Sequence, residues 1–187
     1  MKKTTVLSAL FVTAAAVAAF AHSGATGLVK ERMDAMSAMG NVVKVIAPMM
    51  RGETAYDASA VRAAAETIGS HAGADLTRLF PEGSGGKPSE SKDTVWSNWN
   101  EFTEMAEQLE VYAEGLARAA DNPMMADGQT GMSTGAMMGT GSGMMGGGAM
   151  QGVLTADDIA AMPVDGAFAM VSQVCSACHT KFRTDSK

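Results

Sequence analysis

Between Thr94 and Ala120 the large apolar side chains recur every three or four positions: Trp96, Trp99, Phe102, Met105, Leu109, Tyr112 and Leu116. At 3.6 residues per turn an α-helix brings such a set to one face, and that face must be covered by other elements. Nothing in the remaining sequence offers a sheet to cover it. Aromatic residues make up 5% of the 187-residue chain, alanine is abundant, and no long alternating run occurs. Helical spacing returns instead in three more segments. One runs from Gly27 to Ala47 and stops before Pro48, with Val29, Met36 and Val43 at seven-residue intervals and Met33, Met39, Gly40 and Ile46 beside them. Another runs from Asp57 to Leu79, with Val61, Ala64, Ala65, Ile68, Ala72 and Leu76 as its stripe, and Phe80-Pro81-Glu82-Gly83 ends it. The last runs from Val164 to Phe182. The first three are joined by modest loops, including a polar one at 83–93. The expected fold is all-α, an antiparallel four-helix bundle.

The N-terminus reads as an address. Lys2 and Lys3 precede an uncharged, mostly apolar run from Val6 to Ala19, and Ala19-Phe20-Ala21 is a small-x-small cleavage site. Residues 1–21 are therefore expected to be a signal peptide, with His22 starting a mature chain exported to the periplasm. The apolar run is short of the roughly 20 residues a membrane span needs, so no stable membrane insertion is expected. Residues 22–187 suffice for one domain with its own core. Twelve basic side chains there face twenty acidic ones, which argues against nucleic acid and anionic membranes as partners and permits docking to a basic redox protein.

The segment from Asn122 to Gly152 breaks the helical pattern. It holds 8 of the 17 methionines and 10 of the 21 glycines, and its one charged residue is Asp127. Glycine at that density opposes a helix and no aromatic side chain anchors a core, so 122–152 reads as a low-complexity insertion. Its thioethers (Met124, Met125, Met132, Met137, Met138, Met144, Met145 and Met150) are soft donors suited to Cu(I). The plain alternative is a tolerated surface loop without a ligand. Sacrificial oxidation of the methionines is a third reading. A short helix is expected after the insertion, with Thr155 as N-cap and Asp157 and Asp158 in its first turn.

Both cysteines of the chain lie in Cys175-Ser176-Ala177-Cys178-His179. C-x-x-C-H is a haem c attachment motif: each thiol adds across a haem vinyl group, and the histidine that follows lies under the iron. Rival chemistries lack their context. A thioredoxin-like pair needs a βαβ unit, and a structural zinc site needs four ligands, with only His22 and His71 left to recruit. No paired carboxylates or nucleophile–base pair suggest an enzyme.

A haem motif at the end of a four-helix bundle resembles the class II cytochromes c, the cytochrome c' family. Further motifs carry the resemblance: Val29-Lys30-Glu31-Arg32 followed by Met36 and Gly40, Leu79-Phe80-Pro81-Glu82-Gly83-Ser84, Trp96 and Phe102, and Phe182-Arg183 after the histidine. It implies that Cys175 and Cys178 hold the haem and that His179 is the proximal ligand. It places Met36 on the distal side of the iron, where methionine gives six-coordinate, low-spin members and leucine leaves iron five-coordinate. It puts Arg32 near a haem propionate and Arg183 near the proximal side, with Trp96 and Phe102 in the pocket or the bundle core. The implied function is one-electron transfer with redox partner proteins. The alternatives are a five-coordinate protein binding nitric oxide and a haem protein with a copper-handling loop. Members of the family occur as monomers and as homodimers packed through helices one and two, and the alanine-rich faces here do not decide between them.

Overall fold

In a computed structural model, which describes residues 24–125 and 154–184, Pro48 does not end the first helix. Helix α1 runs Gly27–Met50 and carries the proline in its last turn. The stop is set by Gly52, whose φ of +69° is left-handed backbone that glycine adopts without a Cβ penalty. From there the Gly52 N–H donates to the Met49 carbonyl (3.1 Å) and the Glu53 N–H to the Pro48 carbonyl (2.9 Å), which closes the helix end in a Schellman pattern.

The second and third expected helices are each divided. Asp57 caps α2 (Ala58–Gly69) by accepting from the Ser59 and Ala60 N–H groups. The chain then tightens through bonds from His71 to Ile68 and from Ala72 to Gly69, and restarts as α3 (Gly73–Thr77). Gly73 makes that restart with φ +53°. The third helix breaks at Asn98 (φ −121°, ψ 45°) into α4 (Thr94–Ser97) and α5 (Trp99–Ala119). Breaks this short, three residues (70–72) in one case and Asn98 alone in the other, leave the apolar period nearly intact, so the spacing alone does not reveal them.

Helix α6 (Ala156–Ala160) is the short helix expected after the insertion. Thr155 accepts from the Asp158 N–H, and the Asp158 carboxylate accepts from the Thr155 N–H, so both partners of a capping box are present. Helix α7 (Val164–Phe182) matches its expected bounds. Among the described residues the elements are helical, and they form a four-helix bundle. Helix α5 is its packing centre, against α2, α3, α6 and α7. Helix α1 leans on α2 and barely reaches α7. Residues 1–21, His22 and most of 122–152, including Met132, Met137, Met138, Met144, Met145 and Met150, lie outside the described residues.

Burial follows the expected stripe on α2, where Val61, Ala64, Ala65 and Ile68 are buried. On α1 the buried seam is turned from the expected one. Arg32, Ala35, Met39, Ile46 and Met50 face inward, whereas Val29, Met33, Met36, Gly40 and Val43 are half-buried flanks. A charged residue in the seam is why the apolar period pointed slightly aside. Trp99 also departs from its stripe: it is 38% exposed and lines an open groove with Trp96, Arg78 and Pro81. The core itself falls into two clusters. One is built around Ile46, Ile68, Leu116 and Val171, the other around Leu79, Phe80, Phe102 and Phe182.

Candidate haem site

The end of α7 that carries Cys178 and His179 is fixed by the segment before α5. The last four carbonyls of a helix have no partner within it, and here all four find one. The His179 carbonyl accepts from the Arg183 N–H (3.0 Å). Thr180 accepts from Lys92 Nζ (2.9 Å), Lys181 from Thr94 Oγ1 (3.0 Å) and Phe182 from the Lys92 N–H (2.8 Å). The Thr184 N–H donates to the Glu90 carbonyl (2.8 Å), and Arg183 pairs with the Glu90 carboxylate at 2.8 Å. The polar 83–93 loop thus ends as a clamp on the C-terminal turn of α7. Nothing in its composition announced that role.

Cys175 and Cys178 are free thiols, both half-buried and one turn apart on α7. Cys175 packs against the first core cluster and Cys178 against the second. Burial pushes both thiols up, and Cys178, with Cys175 also beside it, reaches about 11. Such cysteines are disfavoured as thiolates, the form that zinc binding and disulfide exchange require. A thioether carries no charge and suits the position. His179 lies on the exposed side of α7, and partial loss of solvation there, with the Arg183 guanidinium nearby, holds it below its ordinary pKa and favours the neutral imidazole with a free lone pair.

Met36 is half-buried on α1, and it alone among the described methionines packs against both clusters. Arg32, one turn before it, is 3% exposed. Its Nη1 donates to the Leu79 carbonyl (3.4 Å) and Ser84 Oγ (3.1 Å), its Nη2 donates to the Ser84 carbonyl (2.5 Å), and its Cζ lies 4.7 Å from the Phe80 ring centroid. Among the described residues no carboxylate pairs with it, and burial lowers its pKa. Arg32 and the Leu79–Ser84 motif stand in separate segments of the sequence. Their contact spans some fifty residues, and periodicity carries no signal for it. Trp96 Nε1 donates to the Phe80 and Pro81 carbonyls (3.0 and 3.1 Å), which anchors the same loop. Phe102 is a core residue, 2% exposed.

The donor set fits a c-type haem. Two thiols suited to thioethers and a neutral imidazole stand on α7, and a thioether stands on α1, a helix that scarcely touches α7. Among the described residues no group of three or more His, Cys, Asp or Glu could hold another metal. The copper expectation rests mainly on methionines outside the described residues. Of those within, Met124 packs on the core and the Met125 N–H bonds to Asp165.

Fold and donor set together describe a helical bundle whose residues are suited to holding a covalent haem. Residues 27–140 match the family model described as Cytochrome C', and the chain belongs to that family. Covalently bound haem c is its cofactor. The matched stretch ends before the insertion does, so Cys175 to His179 lie beyond it. The chain is 33% identical over 92 residues to a cytochrome c-556 of Agrobacterium fabrum, covering 49% of this chain and 62% of that protein. A cytochrome c-556 of Agrobacterium tumefaciens is 33% identical over 88 residues, covering 47% and 70%. Among solved structures, cytochrome c' from Thermochromatium tepidum superposes with a TM-score of 0.57 at 23% identity, over 84% of this chain and 95% of that one. A nitric oxide complex of a cytochrome c prime variant from Alcaligenes xylosoxidans gives 0.55 at 20%, over 84% and 94%. At these identities the two structures establish the shared fold.

Proposed function

We propose that this chain is an exported one-electron carrier in which Cys175 and Cys178 hold the haem and His179 and Met36 bind its iron from opposite sides. The bound haem supplies one Fe(III)/Fe(II) couple and needs no bond-making on a substrate. The observation that carries the reading is the place of Met36, a half-buried thioether in contact with the two clusters that Cys175 and Cys178 separately border. A thioether opposite histidine favours reduced iron and raises the potential relative to two histidines.

The other residues have supporting roles in this reading. Arg32 is a buried cation that meets no carboxylate among the described residues, and a propionate would complete its pairing. Arg183 stands beside His179 and disfavours its protonation. Residues 1–21 direct export, 22–187 form the bundle with an insertion at 122–152, and the protein works in the periplasm with a redox protein as partner. Among the described residues no helix is long and apolar enough to cross a membrane.

Electronic and magnetic spectra of the holoprotein, wild type beside Met36→Leu, test the proposal. The expected result is a low-spin wild type with slow carbon monoxide binding and a high-spin variant with fast binding. Two high-spin proteins that bind carbon monoxide alike would favour a gas-binding haem protein with an open iron position.

A further inference from the structure

We infer that Arg32 is a positioning residue: by locking the Leu79–Ser84 loop onto α1, it sets where Met36 stands relative to α7. The inference rests on Met36 and His179 being the axial ligands. The two helices that carry them scarcely touch, so their separation must be set through a third element. Helix α1 meets that element at two adjacent residues. Glu31 pairs with Arg78 at 2.9 Å on the surface, and Arg32 binds Leu79 and Ser84 in the interior.

The loop is joined to α7 on its other side. Trp96 holds the Phe80 and Pro81 carbonyls. The Phe80 ring meets Phe102 at 4.8 Å between centroids, and Phe102 meets Phe182 at 5.3 Å, three residues past His179. A continuous path of directed hydrogen bonds and edge-on rings therefore runs from the turn before Met36 to the turn after His179. The planar Arg32 fork joins the Leu79 carbonyl, Ser84 Oγ and the Ser84 carbonyl at once, which fixes one geometry between α1 and the loop.

The test uses the holoprotein with Arg32→Gln, Arg32→Lys, Ser84→Ala and, as a control, Glu31→Gln. The readouts are the carbon monoxide association rate on ferrous iron, the methionine–iron charge-transfer band of the ferric state, and the reduction potential. Losing hydrogen bonds to a charged group should raise the population with Met36 off the iron roughly ten- to a hundredfold. Arg32→Gln and Arg32→Lys should both bind carbon monoxide faster by that factor and show a weakened band. Ser84→Ala, which keeps the backbone acceptor and the buried charge, should show a smaller change and serves if Arg32→Gln does not assemble. Glu31→Gln should match wild type. The potential should fall in Arg32→Gln more than in Arg32→Lys, because only the former removes the charge.

A wild-type rate in Arg32→Lys would assign the effect to charge and overturn positioning. A slow wild type with equally slow Arg32 variants would overturn the inference alone. A wild type as fast as Met36→Leu would overturn the ligand assignment, and the inference with it.

Discussion

The rings of Phe102 and Phe182 meet edge-on, with 5.3 Å between centroids and 82° between planes, and Phe80 stands edge-on to Phe102 at 4.8 Å. Through this contact α5 grips the last turn of α7, just past His179, where the clamp from Lys92 and Thr94 also acts. Phe102→Ala removes the middle ring and should cost about 3–5 kcal/mol of folding stability, as large-to-small core changes at aromatic sites do. Guanidinium unfolding of the holoprotein measures it. A loss under 1 kcal/mol would mean that the stack is not a core contact.

Gly115 sits in the middle of α5, where alanine would ordinarily gain about 0.5–1 kcal/mol in helix propensity. Here a Cβ would lie 2.4 Å from Ile159 Cβ and 3.0 Å from the Ala156 carbonyl oxygen, so α6 would have to move. Overpacking of this kind costs about 1–3 kcal/mol and outweighs the propensity gain. Gly115→Ala should therefore lower the thermal midpoint. Ile159→Ala should not rescue it, because the clash is with a Cβ that alanine retains. Full rescue would show that α6 is not seated where the contact requires.

Gly52 should tolerate little. At φ +69° an alanine meets no neighbour but must take left-handed backbone, at a cost of about 1–2 kcal/mol. For a chain of this size that lowers the melting temperature by about 2–8 °C. Gly40, with ordinary helical backbone and open space around its Cβ position, is the control. Gly40→Ala should be neutral or slightly stabilising.

The capping box ties α6 to pH. Hydrogen bonds from the Thr155 side chain, and then from its backbone, hold the Asp158 carboxyl below its ordinary value. A depressed folded pKa gives stability that is fully present above the unfolded value of about 4 and is lost as pH falls through the lower folded value. Thr155→Ala should reduce stability at neutral pH by about 1 kcal/mol. Its deficit against wild type should shrink on acidification below about pH 4. Parallel thermal melts from pH 7 to pH 2.5 give the two curves. A deficit that grew toward low pH would contradict the capping geometry.

What the sequence disclosed and what it concealed divide along the distance of the contacts. Helix existence was legible because the cue is local: the α2 stripe is buried as its spacing indicates, α7 begins and ends where expected, and Thr155 caps α6. Pro48 misled because it removes only its own bond to the Lys44 carbonyl and the helix runs two residues past it, with the left-handed Gly52 setting the stop instead. The haem-carrying motif was legible as five adjacent residues. The clamp from Lys92 and Thr94 onto the end of α7 was not, because backbone acceptors some ninety positions away leave no residue-type signature. The bonds from Arg32 to Leu79 and Ser84 escaped for the same reason. Its burial also turned the α1 seam away from the line that the apolar residues alone suggest.

The central claim, that Met36 binds the iron opposite His179, is tested most directly by proton NMR of the ferrous holoprotein with methyl-labelled methionine. A methionine methyl held over the ring plane at the iron is shifted far upfield by the ring current, and core methionines elsewhere are not. The account predicts one such methyl resonance in wild type and its loss in Met36→Leu, with the remaining methionine methyls in place. Wild-type methyls that all fall in the ordinary range, or an upfield methyl that survives Met36→Leu, would contradict it.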